Sequence, residues 1–218
     1  LTPSGTDAVF MMSALTLARG AERVHHIVVG AGELGSGTLG AAEGEAFSEH
    51  RPVGEFDALG RGLAGLSDRC SAEPVYLRSP PGELLDPQGI DRSVMAAADA
   101  AVDRGATAVV HMVAHSKTGL RAPTVDCLDT LIERHGDRVR VLVDAAQGRV
   151  APIDIRRALE RGYVVLFTGS KFYSGPPFSG ALLLSGEWAD DPGPLPEGLH
   201  DWATAADLPD SWSTARAG

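Results

Sequence analysis

Six short apolar runs punctuate the chain, and between several of them lies a helical stretch that stops at a glycine. The runs fall at residues 24–30, 74–78, 108–114, 139–144, 164–169 and 180–185. The helical stretches fall at 7–19, 93–104, 124–135 and 153–161, and they end at Gly20, Gly105, Gly136 and Gly162. A glycine just past the last helical residue takes the left-handed conformation without a Cβ penalty, so it is a common helix stop. Within 124–135, Val125, Leu128, Leu131 and Ile132 recur at helical spacing. Strands alternating with capped helices predict an α/β fold, a three-layer α/β/α sandwich around a mostly parallel sheet. The last run follows the turn residues Gly175, Pro176 and Pro177 and is read as antiparallel to its neighbours.

Two stretches break the alternation. Residues 35–65 are glycine-rich with weak periodicity and read as a long loop with short helical pieces, a length that often carries function. Residues 187–218 are rich in Asp, Pro and Trp. They read as an irregular exit segment towards a C-terminal small domain, with Trp188, Trp202 and Trp212 as packing or interface residues. The expected organisation is a large domain over 1–186, its first strand largely absent, followed by that exit segment.

Composition narrows the class of partner. The chain has 218 residues, enough for one large core, and a formal charge of −10, which argues against broad contact with nucleic acid or an anionic membrane. No apolar run reaches membrane-spanning length. Cys70 and Cys127 stand apart without CxxC spacing and read as buried thiols of a cytoplasmic protein, with neither a disulfide nor a metal role.

Chemistry concentrates at two strand ends. The run 164–167 leads through Thr168-Gly169-Ser170 to Lys171, and the run 139–143 leads to Asp144-Ala145-Ala146-Gln147. In a parallel sheet both ends share the edge where ligands bind. A lysine at the end of a buried strand is expected to be withdrawn from solvent, with its amine free to form an imine. An amine and a carboxylate held there suit pyridoxal 5'-phosphate: Lys171 forms the Schiff base, and Asp144 keeps the ring nitrogen protonated. Before the first helix, Ser4, Gly5 and Thr6 offer free backbone N–H groups and small side chains to a phosphate, or an ordinary helix cap. Thr168 and Ser170 add hydroxyls, and Gln147 is read either as a partner of the cofactor's ring oxygen or as a solvent-facing residue.

These blocks, in this order, resemble the fold-type I pyridoxal phosphate enzymes, nearest the class V aminotransferase and cysteine desulfurase branch. Ser4-Gly5-Thr6-Asp7-Ala8 resembles that family's phosphate cup, Val143-Asp144-Ala145-Ala146-Gln147 its pyridine-nitrogen motif, and Thr168-Gly169-Ser170-Lys171 its Schiff-base motif. His115-Ser116-Lys117-Thr118-Gly119 resembles its substrate-side loop. The resemblance implies an aminotransferase-like enzyme acting at the Cα of an amino acid or amine. It also implies His115 beside the substrate, with Asp144 and Lys171 catalytic, and a homodimer. The chain departs from the pattern at Ser170, where the family has histidine, and at Gly32-Glu33-Leu34-Gly35-Ser36, where the family has a ring that stacks on the cofactor.

Rival readings stand beside this one. A lyase or desulfurase would use the same residues, although neither cysteine lies in a recognisable catalytic loop. A non-catalytic binding or scaffold module could keep the fold. Finally, Gly30, Gly32 and Gly35 form a GxGxxG after a strand, with Glu55 or Asp57 about twenty residues on, the spacing of a dinucleotide site.

Overall fold

The computed structural model describes residues 1–54, 58–176 and 179–216. Glu55, Asp57 and Pro177 lie outside the described residues. One sheet runs in the order β2-β1-β3-β4-β5-β6. Its strands are β1 (Val24–Val29), β2 (Cys70–Val75), β3 (Thr107–Val113), β4 (Val139–Ala145), β5 (Val164–Thr168) and β6 (Gly180–Leu183). The first five pair in parallel, and β6 pairs antiparallel with β5, as the turn chemistry predicts. Strands β1, β3 and β4 are buried along almost their whole length. Both of their faces are covered, so their sequences read as unbroken apolar runs rather than alternating ones.

The helices are α1 (Gly5–Ala18), α2 (Thr38–Ala42), α3 (Pro87–Asp103), α4 (Val125–His135) and α5 (Pro152–Glu160). Helix α1 packs on β1, β5 and β6 and is itself covered by α2 and by the turn at Glu197–Asp201. Residues Asp7 to Leu17 are therefore all buried, which is why this helix has no polar face. Helices α3, α4 and α5 form the other layer and are amphipathic. The result is the three-layer sandwich with a mostly parallel sheet.

Two boundaries differ from the sequence reading. The second strand is Cys70–Val75, not 74–78. It is the sheet edge, and only Cys70 and Val75 are buried, so it carries no apolar run. Pro74, which lacks an N–H, is tolerated because the strand is an edge. Helix α3 starts at Pro87, not 93, because Asp86 accepts the Gly89 N–H at 2.9 Å and Pro87 occupies the first turn. The first turns are too polar to show apolar periodicity.

The segment after β6 folds back on the core. Trp188, Trp202 and Trp212 are 1%, 2% and 1% exposed and belong to the same apolar cluster as the strands. Trp188 sits at the N-terminal edge of the sheet, donating to the Gly162 carbonyl at 3.1 Å. Arg19 and Arg140 lie over its ring at 4.9 and 5.1 Å. Trp212 donates to Ala189 O at 2.8 Å.

Beneath α1 the core holds a polar chain. Ser13 Oγ donates to Val9 O at 3.1 Å, leaving its oxygen to accept His26 Nε2–H at 2.8 Å. His26 Nδ1 then accepts from His111 Nε2 at 2.8 Å, and His111 Nδ1 is left without a partner among the described residues. Burial holds both imidazoles neutral, pushing His111 down to about 3 and His26 well below its usual value.

Candidate active site

The parallel sheet brings the ends of β1, β3, β4 and β5 to one edge, and the first turn of α1 packs against it. A Cβ on Gly5 would lie 3.1 Å from Leu166 Cδ2 and 3.2 Å from Thr168 Cγ2. Gly180 is crowded from the other side: its Cβ would meet Thr2 O at 2.7 Å and the Ser4 carbonyl carbon at 2.8 Å. Thr2 and Gly180 form an antiparallel bridge there. The three sequence blocks are thus packed together although they lie far apart along the chain.

Asp144 is the last residue but one of β4 and is 7% exposed. Its Oδ1 accepts the Ala146 N–H at 2.9 Å, the one hydrogen bond the carboxylate receives among the described residues. Burial pushes its pKa up, against the pull of the Ala146 N–H and of the Lys171 charge. A buried carboxylate with one neutral donor is short of positive charge. A protonated pyridine nitrogen would supply it, so Asp144 fits the ring end of pyridoxal phosphate.

Lys171 and Ser170 are both exposed, which corrects the expectation of a lysine withdrawn from solvent. The chain leaves β5 at Thr168 and turns outward, and Phe172 and Tyr173 are also 62% and 60% exposed. Tyr173 instead packs on the next loop: a Cβ on Gly148 would stand 3.2 Å from its ring. Thr168 is buried, and its hydroxyl donates to Ala146 O at 2.8 Å. That bond ties the chain after β4 to the end of β5 and spends the proton expected for a phosphate. Ser4 acts as a helix cap, accepting from Thr6 N at 3.2 Å and Asp7 N at 3.3 Å. Both bonds are long, and Gly5 and Thr6 remain half-buried beside the strand ends. Gln147 and His115 are half-buried at the same edge.

The sequence reading missed Glu33. It follows β1 in a 3-10 turn and accepts from the hydroxyls of Ser116 and Thr118 and from Arg78 Nε at 2.9 Å. Burial raises its pKa, but these three donors outweigh that and leave it lowered. Lys117 donates to Leu34 O at 2.6 Å, and Arg149 to Ser116 O at 3.2 Å. Loops after β1, β2, β3 and β4 are thereby pinned around His115. A lone acid in a glycine-rich loop after a buried strand was the available signal.

The glycine motif does not open a helix. Gly30 has φ +77°, a 3-10 turn follows it, and α2 begins only at Thr38 and is five residues long. Its ribose acids, Glu55 and Asp57, fall outside the described residues. Cys70 and Cys127 are free and buried, which raises the thiols to about 11 and about 12. Among the described residues no helix is long and apolar enough to cross a membrane.

No family model matches the chain, and no curated protein matches it. Solved structures do share its fold. Mouse CSAD in apo form is similar at a TM-score of 0.52 and 18% identity, over 86% of this chain and 37% of that one. Oryza sativa TDC with PLP gives 0.51 and 15%, over 85% and 36%; with PLP and tryptamine it gives 0.50 and 15% over the same shares. The chain spans little more than a third of their length. At 15–18% identity the likeness is one of fold: a three-layer α/β/α sandwich around a mostly parallel sheet.

Proposed function

We propose that this chain is the cofactor-binding domain of a pyridoxal phosphate enzyme acting at the Cα of an amino acid or amine. The observation that carries the reading is Asp144: a carboxylate buried at a parallel strand end, short of positive charge, and within electrostatic reach of Lys171. When bound, the cofactor supplies an aldehyde for an amine and a ring that draws electrons from Cα. Asp144 holds the proton on the ring nitrogen. Lys171 Nζ would hold the cofactor through its amine and would take and return the proton at the substrate's Cα. The Gly5 N–H, the Thr6 hydroxyl and the exposed Ser170 hydroxyl would hold the phosphate, with Thr168 supporting them through Ala146 O. Gln147 and His115 flank the ring, His115 on the side where substrate enters.

The finer reading is an aminotransferase of the class V type, working as a homodimer in the cytoplasm. The order of the three blocks supports the aminotransferase reading, and the homodimer rests on the resemblance alone.

The test is chemical. Pyridoxal phosphate added to the protein, followed by borohydride reduction and peptide mapping, should label Lys171. The same treatment of Lys171→Ala should leave no labelled peptide and no visible absorbance band. A label on another lysine, or a retained band, would remove Lys171 from the site.

A further inference from the structure

Asp7, one turn into α1, also lines a cleft of about 670 Å3 that neither Lys171 nor Asp144 reaches. Phe47, Arg51, Trp202 and Asp207 form other parts of its wall. Two buried atoms in that wall lack hydrogen-bond partners among the described residues: Asp7 Oδ1, an acceptor, and Trp202 Nε1, a donor. Their residues are 6% and 2% exposed, so bulk water does not satisfy either atom. Native structures seldom leave such groups unmade without a reason.

The rest of the wall says what would complete them. Trp202 packs at a tilt against Phe47 at 4.9 Å and edge-on against the buried Phe10 at 5.1 Å, an aromatic cluster behind the wall. The charge that acts on Asp7 is a second carboxylate, Asp207; the cations of the wall are engaged elsewhere, the Leu1 ammonium by the Asp207 carbonyl at 2.6 Å and Arg51 by Asp201. An unpaired carboxylate oxygen beside an aromatic cluster favours a cation carried on an apolar body. The volume is that of a small-molecule pocket rather than of one or two waters.

We propose that this cleft binds a small organic ammonium compound with an aromatic or aliphatic body. Its cationic nitrogen sits on Asp7, and an acceptor oxygen takes the Trp202 indole N–H. Burial and the neighbouring Asp207 hold Asp7 up at about 6, so a bound cation would meet an ionised partner at neutral pH.

The probe is N,N-dimethylphenylalanine methyl ester, titrated into the full chain with tryptophan fluorescence and calorimetry as readouts. A tertiary amine cannot condense with an aldehyde, so the titration is blind to any cofactor at Lys171. Lys171→Ala is expected to bind the probe unchanged even if the proposed function fails. Saturable one-site binding is expected. The neutral N-acetylphenylalanine methyl ester should bind about ten-fold more weakly or worse, and Asp7→Asn should lose a similar factor. Trp202→Phe keeps the aromatic wall and should lose about three- to ten-fold. The proposal is overturned by no saturation up to about 10 mM. It is equally overturned by equal binding of the charged and neutral esters, or by wild-type binding in a folded Asp7→Asn.

Discussion

The two ends of the same strands are built differently. The N-terminal edge is sealed by Trp188, 1% exposed, held by Gly162 O and overlaid by Arg19 and Arg140. The C-terminal edge carries Asp144 near the end of β4, and Lys171 and His115 in loops tied by hydrogen bonds among polar side chains and backbone, with Phe172 and Tyr173 left exposed. Trp188 lies in a short 3-10 turn (Gly186–Ala189) and Asp144 in the last residues of β4, so regularity does not distinguish the two ends. Apolar burial does: it stabilises one edge, and its lack leaves the other open to a ligand.

The largest expected effect tests the sealed edge. Trp188→Ala should cost about 3–5 kcal/mol of unfolding free energy in urea. Were Trp188→Ala to unfold like wild type, the sealed edge would be a surface contact and the contrast would collapse. At the open edge the largest effect is on rate. Asp144→Asn should slow the proposed chemistry about a thousand-fold, roughly 4 kcal/mol on the barrier. An unchanged rate constant would take Asp144 out of the mechanism.

Buried titrating groups sharpen the comparison through pH. Asp7, at the open edge, is raised to about 6, so the folded state binds its proton more tightly than the unfolded chain does. Ionising it in place costs stability that grows from about pH 4 and is complete above about pH 6, roughly 3 kcal/mol at most. Asp7→Asn should therefore stabilise the chain at pH 8 and lose that advantage below about pH 4. His26 and His111, in the middle of the core, run the other way. Their folded pKa values are depressed, so stability is full above 6.5 and falls with acid, by about 1.4 kcal/mol per pH unit for each histidine. His111→Gln should flatten the slope of urea stability between pH 7 and 5 by about one proton; an unchanged slope would mean that His111 is not a buried neutral group. The smallest effect closes the series. Lys171→Ala, on the exposed loop, should move the stability of the cofactor-free protein by less than about 0.5 kcal/mol.

Much of this was legible before any coordinates. Strands β1, β3, β4 and β5 announced themselves because burial on both faces forces continuous apolar runs, and Gly105, Gly136 and Gly162 marked helix ends because each has positive φ. Strand β2 was misplaced because an edge strand needs little burial. Glu33 was missed because its role exists only through Arg78, Ser116 and Thr118, residues 45 to 85 positions away.

Local pattern by itself determined the alternation of strands and helices, the antiparallel last strand, and the acid and lysine at two strand ends. Backbone propensity and apolar spacing act over a few residues, and those features are written at that range. Only the tertiary structure decided that Lys171 faces solvent, that Thr168 serves the loop of Asp144, and that three tryptophans of an irregular tail close the core. Those outcomes depend on which distant surfaces meet, and burial and hydrogen bonding are settled there.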